Sequence, residues 1–578
     1  MSKNRNSFMK RRRYQSNGMS MWETLTLILF LVSLSILPCF AQGDYVSPTL
    51  IDKQFIEDNE ISSGTLNSIH SDVRPMSNAR LLQSVEPITT QDKFPNPLLY
   101  QNLSCNYLPL CKEDTLSSTK KSKSILRYFF THPPHLFAVS GQDYQLAIDP
   151  MLEEMVGKSD HSILLTNKRG LNIKGHLKEK LFFSVSVIET QEVVPEYVQE
   201  YVNIYNSLPG AGFLKRYDSR FFKSESAYDY LSSEGGVSYH TGKHIDVSLG
   251  HGRHFIGHGV RSLFLSDDSA PYFYLRLNSY FWKINYQNIF AELTPESKFE
   301  TTDHLLDKKY LAAHYLSINI LKNWSLGLFE SVVFSRKNQF ELQYLNPLIL
   351  YRSVEQSIGS PDNAMIGLQS QLILWKKIKL YGQLLLDEFV LKELVFENRN
   401  WWANKYGIQA GVLYSSAFGI KQWDLQMEYN TVRPYTYSFR DSLANYSHYH
   451  QALAHPLGAN FKELILKSRF NYKRLQSDFG LFFINKGLDD NNSNYGGNIL
   501  KSHLSRVSDY CNFTAQGISQ TIMFTQLNFQ FRLWQSIYLT TECAVRNENL
   551  KQILANEKKD WWIKAGIRWN IQPMYRIF

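Results

Sequence analysis

The chain has 578 residues, a formal charge of +9 and 14% aromatic residues, among them 34 Tyr and 36 Phe. Mean hydropathy is −0.31. Past the first forty residues no apolar run reaches the roughly 20 residues a spanning helix needs, which excludes a bundle of membrane helices. Residues 1–41 hold six Lys and Arg against one Glu, leaving +4 of the +9 to the remainder, and so near a balance makes no case for a nucleic-acid partner.

The opening stretch is basic at Lys3, Arg5 and Lys10 to Arg13, apolar from Leu25 to Leu37, and small at Cys39 and Ala41. That order describes a secretory signal cleaved after Ala41. Residues 42–93 are rich in Ser, Asp, Asn and Thr without a period, and read as an exposed, partly disordered leader. Residues 94–143 read as a short N-terminal periplasmic segment, partly helical. Cys105 and Cys111 lie six apart on an oxidising route and can pair, whereas Cys511 and Cys543 can stay free. No Cys/His spacing of a zinc site occurs, and neither a metal nor another cofactor is expected.

From about Tyr144 to the end, segments alternate apolar and polar residues with a period of two. "YGIQAGVLY" sets Ile408, Ala410, Val412 and Tyr414 against Gly407, Gln409 and Gly411. "WDLQMEYN" sets Leu425, Met427 and Tyr429 against Asp424, Gln426, Glu428 and Asn430. In "KELILKSRFNY" the same holds, with Ile465 the exception. "NIKGHLKEKLFFSVSVIE" reads as a hairpin turning at Lys178 to Lys180, while "NKGLDDNNSNYGGN" is a long polar connection. A soluble sandwich would alternate too. The export signal, the aromatic load at strand ends and the strand "WWIKAGIRW" close to a terminal Phe578 favour an all-β, antiparallel transmembrane barrel over 144–578. At about two dozen residues per strand and loop, this predicts roughly 16–18 strands.

Residues 191–235 break the pattern. Val193, Tyr197, Val198, Tyr201, Val202 and Tyr205 recur at helical spacing, which predicts a helical plug or cap segment. A barrel this wide would otherwise hold water.

Two polar segments are candidate binding loops. "GHGRHFIGHGVRSLFLSDD" packs His251, His254, His258, Arg253 and Arg261 among glycines. It reads either as a loop in the lumen offering donors to a polar or anionic ligand, or as a tight turn packing a plug against the wall; its histidines could converge on a metal, but no carboxylate spacing supports that. "YNTVRPYTYSFRDSLANYSHYHQALAHPLGANFKE" supplies Arg433, Tyr446, His448 and His455, and flat aromatic faces beside short polar groups suit sugar rings. No GxSxG, HExxH or P-loop occurs, and the adjacent acids of "LLLDEF" point to opposite faces of a strand, so an enzyme is not expected.

The strings "GRHFIGHGVRSLFLSD", "HYLSINILKNWSLGLFESVVF", "YLNPLILYRSVEQSIGSPDNAMIGLQ" and "VRPYTYS…NYSHYHQALAHPLGANF", taken in order, resemble the capsule-assembly Wzi-like outer-membrane proteins, most closely the branch that includes the gliding-motility protein RemB. The resemblance implies a non-enzymatic barrel of the cell outer membrane that binds or organises surface polysaccharide. Its motility branch implies a surface component with motility or secretion proteins as partners, besides membrane lipid. The matching positions include Arg253, Gly257, Gly259, Arg261, His448 and His455, and the resemblance brings no mapped sugar site with it. The expected polysaccharide-binding residues are therefore Arg253, His254, His258, Arg261, Arg433, Tyr446, His448 and His455.

Overall fold

The computed structural model describes residues 45–46, 50–66, 70–77 and 135–571, apart from short internal breaks, together with Arg576. The signal, the Cys105 and Cys111 pair, residues 94–134 and Phe578 lie outside the described residues.

The wall is a closed antiparallel barrel of 18 strands, at the top of the expected range. The strands are β1 (Tyr144–Ser159), β2 (Ile163–Leu177), β3 (Leu181–Val193), β4 (Ala227–His240), β5 (Ile245–Gly252) and β6 (Tyr272–Phe281). They continue as β7 (Ile284–Leu293), β8 (Lys309–Leu321), β9 (Trp324–Phe334), β10 (Asn363–Leu374), β11 (Ile378–Glu388) and β12 (Lys405–Tyr414). The last are β13 (Trp423–Val432), β14 (Phe461–Tyr472), β15 (Leu475–Leu488), β16 (Ile518–Trp534), β17 (Ile537–Lys551) and β18 (Ala555–Trp569). The ring closes where β18 pairs with β1, Trp562 opposite Ser159 and Trp569 opposite Leu152. Closure leaves no edge, so lipid meets no open row of backbone groups.

Alternation decides which side chains go where. On β18, Ile563 and Ile567 point outward and are exposed, while Arg568 points into the lumen and is buried against Glu153. Leu539, Met427 and Ile408 continue the outward apolar belt. Trp282, Trp375, Phe418 and Tyr472 stand exposed along one rim, in or beside its short turns. Such aromatics mark a membrane interface, and short turns mark the periplasmic side. The long connections, 194–226, 253–271, 335–362, 389–404, 433–460 and 489–517, all leave the opposite rim, here the outer one.

The lumen is filled. The helix expected after Val193 is α2 (Glu196–Tyr205), with Tyr197 stacked 5.6 Å from Trp562 of the wall. The predicted insertion is shorter than 191–235, because residues from Ala227 onward already belong to β4. The leader reading fails over residues 50–77: helix α1 (Leu50–Ser63) and the stretch after it are tucked into the floor of the barrel. Ile56 and Ile61 are buried, Lys379 of β11 binds Glu57, and His70 Nδ1 lies 2.8 Å from Ser317 Oγ. Nor does the described chain finish on its last strand. It turns back at Trp569, and Arg576 lies inside the barrel, 2.7 Å from Glu192, its carbonyl accepting a hydrogen bond from Tyr197.

Candidate functional site

The floor segment and the 253–271 connection meet inside the lumen. Val73 and Arg74 pair as an antiparallel ladder with Ile256 and Phe255, and the Arg74 guanidinium lies 3.8 Å over the Phe255 ring. Asp72 accepts from Gly257 N–H at 2.8 Å through its carbonyl and binds the Tyr315 hydroxyl through its side chain. Tyr315 in turn accepts from Gln369, and Gln369 from Gln383. Gln383 then clasps the 253–271 loop, accepting from Leu263 N–H at 2.7 Å and donating to the Ile256 carbonyl at 3.0 Å.

Glu428 of β13 is the second clasp. Its carboxylate accepts from Val260 N–H at 2.6 Å, Arg261 N–H at 3.0 Å, the Tyr381 hydroxyl at 2.8 Å and the Asn430 amide at 2.9 Å. A Cβ on Gly259 would meet Glu428 Oε2, so glycine is what allows the loop this close to the carboxylate. Buried carboxylates need such full satisfaction to be tolerated.

The eight residues singled out in the sequence all lie on the 253–271 and 433–460 connections, and all but Arg253 are buried. Arg261 and His455 converge on Glu463 of β14, at 3.5 Å and 2.8 Å. Leu457 N–H donates to His455 Nδ1, so Nε2 carries the proton toward Glu463. His254 and His448 flank Tyr272, with ring centroids 5.8 Å and 5.9 Å away. His448 Nδ1 accepts from Thr294 N–H at 2.9 Å, and its Nε2 donates to the Pro271 carbonyl at 3.2 Å. Burial keeps both of these rings neutral: it pushes His448 down to about 3 and His254 well below the ordinary histidine range. Tyr446 donates to the Phe264 carbonyl at 2.8 Å. Arg253 binds Glu234, and His258 is buried. Arg433 stands apart at the outer rim, donating to the Trp401 carbonyl at 3.3 Å and lying over the Tyr406 ring at 5.5 Å.

These residues therefore build the plug and do not present donors at a surface. Sequence reasoning missed their wall partners, Glu428, Glu463, Gln383 and Gln369. The signal was there in the polar face of "WDLQMEYN" and in Glu463 of "KELILKSRF", which alternation sends inward. Among the described residues no group of three His, Cys, Asp or Glu side chains is placed to hold a metal ion, and His251 instead bonds the Ser233 carbonyl at 2.8 Å.

What the plug carries on its outer side is an aromatic surface edged by arginines, Arg399 paired with Glu393 and Arg506 with Asp509, shared by connections 389–404, 433–460 and 489–517. Trp402 N–H donates to the Asp509 carbonyl at 2.8 Å, and Asn512 N–H to the Asn400 carbonyl at 3.0 Å, which locks two connections together. The Arg506 guanidinium lies 4.1 Å over Trp402 and that of Arg399 4.3 Å over Tyr510. Arg440 lies 5.5 Å over Phe439. Tyr510 and Phe513 are exposed, and Trp401 is half-buried beside Trp402. His503, wedged against Trp402, is pushed down to about 3 by burial and then by Lys405.

An 18-stranded antiparallel barrel with a packed lumen, an apolar outer belt and long connections on one rim is the architecture of outer-membrane β-barrel proteins. Among solved structures the chain is similar to Wzi of Escherichia coli, described as an outer-membrane protein involved in group 1 capsule assembly and a carbohydrate-binding β-barrel. That match has a TM-score of 0.53 at 11% identity, covering 92% of this chain and 100% of Wzi. The outer-membrane protein OprD of Pseudomonas aeruginosa matches with a TM-score of 0.39 at 11% identity, over 73% of this chain and 93% of OprD. No family model and no curated protein sequence matches the chain. These likenesses concern the fold and do not support the motility branch.

Proposed function

We propose that this protein resides in the outer membrane and binds surface polysaccharide, without covalent chemistry, through the outer face of its plug. The observation that carries this reading is the surface of Trp401, Tyr510, Phe513, Arg399 and Arg440 on the outer side of the plug. Aromatic faces take the C–H side of a sugar ring, and guanidinium groups and amides take its hydroxyls. Arg433, Tyr446, His448 and His455 serve this surface by holding the 433–460 connection in place. The fold shared with Wzi, described as a carbohydrate-binding β-barrel, supports the reading.

The test is retention of the purified protein, in detergent, on immobilised polysaccharide from its own cell surface. Retention that free polysaccharide competes away is the expected result. Absence of retention at every ionic strength would sink the proposal. A part in surface motility with protein partners is the alternative that the sequence strings raise. A deletion strain scored side by side for capsule retention and for spreading separates the two.

A further inference from the structure

The β9–β10 connection does not stay at the rim. It carries a short 3₁₀ turn (Leu342–Leu345) and helix α3 (Tyr351–Ser357), and it packs against the outside of the wall. Parity proves the side. Leu311, Ala313 and Tyr315 of β8 join the lumen core, so Tyr310, Ala312 and His314 face outward. Phe329 and Val333 of β9 are likewise inward, so Glu330, Val332 and Phe334 face outward. Yet Tyr310, Ala312, Val332 and Phe334 form a buried cluster of their own with Phe290 of β7 and with Tyr344, Tyr351 and Val354 of the connection.

Beneath this cover runs a polar row. The ladder sets Asn288 opposite His314, His314 opposite Glu330 and Glu330 opposite Ile366, one row across β7 to β10. Asn288, His314 and Glu330 are buried, while Ile366 at the end of the row is exposed in the apolar belt. The next row toward the short turns runs Tyr286, Leu316, Leu328 and Leu368, and there Leu328 and Leu368 are exposed. Even so, the Tyr286 hydroxyl donates to the Pro347 carbonyl at 2.5 Å. The connection thus descends past the polar row to the level of lipid-facing leucines.

Its two faces differ. Toward the wall it covers the polar row: Tyr351 stacks 3.9 Å from the His314 ring, and Arg352 N–H donates to Glu330 at 3.0 Å. Away from the wall the turn and the stretch after it expose Leu342, Leu345, Leu348 and Leu350, with Leu348 83% exposed, beside Gln343 and Asn346, and α3 exposes Arg352 and Gln356. At the rim it is clamped by Arg336, which grips both oxygens of Asp362 at 2.7 Å and 2.6 Å, and by Tyr344, which donates to the same carboxylate at 2.7 Å.

We propose that this connection is a lipid-embedded flap, whose leucines meet the acyl chains of the membrane in place of the wall it covers. Polar side chains facing hydrocarbon are costly, and irregular backbone at that depth survives only where its polar groups are satisfied. Here Tyr286 bonds the Pro347 carbonyl, Glu330 accepts from Arg352 N–H, and the turn and the helix bond within themselves. The leucines are continuous with the belt of Leu328, Ile366 and Leu368, which identifies acyl chains as the occupant.

The experiment places the photo-crosslinking residue p-benzoylphenylalanine at Leu348, and separately at Leu342, in the full chain reconstituted into vesicles of phosphatidylethanolamine and phosphatidylglycerol. Leu328 serves as the wall control and Leu504, exposed on the outer connections, as the aqueous control. Illumination is expected to give adducts of phospholipid mass at Leu348, Leu342 and Leu328, and none at Leu504. Lipid adducts at Leu328 without any at Leu348 or Leu342 would overturn the proposal. Crosslinks from Leu348 to a second protein chain would overturn it as well, by making the flap a protein interface.

Discussion

Glu57 of α1 lies 3.1 Å from Lys379, the second residue of β11, and both side chains are buried at the floor of the barrel. This pair ties the N-terminal segment to the wall. Removing one partner of a buried pair typically costs about 3–5 kcal/mol, because the other charge stays in the low-dielectric interior. Lys379→Met is therefore expected to loosen the floor, whereas Glu57→Gln combined with Lys379→Met is expected to recover most of the loss. Planar-bilayer recording checks this. The unaltered protein should be silent, the single variant should open intermittently, and the double variant should return toward silence.

The contribution of α1 was hidden in the sequence for a physical reason. A helix that packs into a polar lumen needs no apolar stripe, so Glu57 and Glu60 are buried while the segment reads as solvated. The wall was legible because lipid outside and protein inside impose the strict two-residue period seen at Ile563 and Ile567. Helix α2 was legible because Tyr197, Val198 and Val202 do bury an apolar face. The flap escaped notice because Leu342 to Leu350 resembles an ordinary rim loop, and only the ladder register shows that it descends. Sequence singled out the two connections that carry these residues, but it could not tell a donor aimed at a ligand from one consumed by Glu428 or Glu463.

The neutral histidines make the plug sensitive to acid. His448 is held down to about 3 by burial, and His455 is lowered from the same cause. A histidine in the unfolded chain titrates near about 6.5, so the folded value lies below the unfolded one. The contribution of the neutral rings is complete above that pH and is lost as pH falls toward 3, by at most about 1.4 kcal/mol per pH unit for each group. Protection of the amides of residues 433–460 against hydrogen exchange, taken relative to the intrinsic rate at each pH, should fall between pH 7 and pH 4.5 in the native protein. The change should be smaller in His448→Gln, which keeps a polar side chain that does not titrate. Equal protection at both pH values would show that these rings are not what holds the connection.

Sugar binding at the outer surface predicts a graded response. Trp401→Ala and Phe513→Ala should each weaken retention on polysaccharide by about 1 kcal/mol, roughly fivefold, as expected for loss of one aromatic contact. Gly259→Ala, which forces the loop away from Glu428, should weaken retention indirectly and should also lower the thermal stability of the plug. Frontal affinity measurements paired with melting curves distinguish the two. The aromatic variants should lose affinity with an unchanged melt, and the glycine variant should lose both.

The outward belt gives the sharpest test of the medium in which the barrel sits. Ile563 is 45% exposed and lies near mid-strand on β18, about six residues from the short-turn rim, or half the roughly 10 residues of a spanning strand. A lysine there would face the middle of the hydrocarbon, at a cost of about 2–4 kcal/mol. Ile204 on α2 is more exposed still, at 70%, but belongs to a connection of the outer rim. In water both substitutions would be equally mild, since each side chain already meets solvent. In a membrane only Ile563→Lys should be costly, and Ile204→Lys should be close to neutral. Reversible unfolding by urea in vesicles, followed by the heat-dependent shift in gel mobility, measures the difference. A gap of less than about 1 kcal/mol between the variants would mean that the belt does not face lipid.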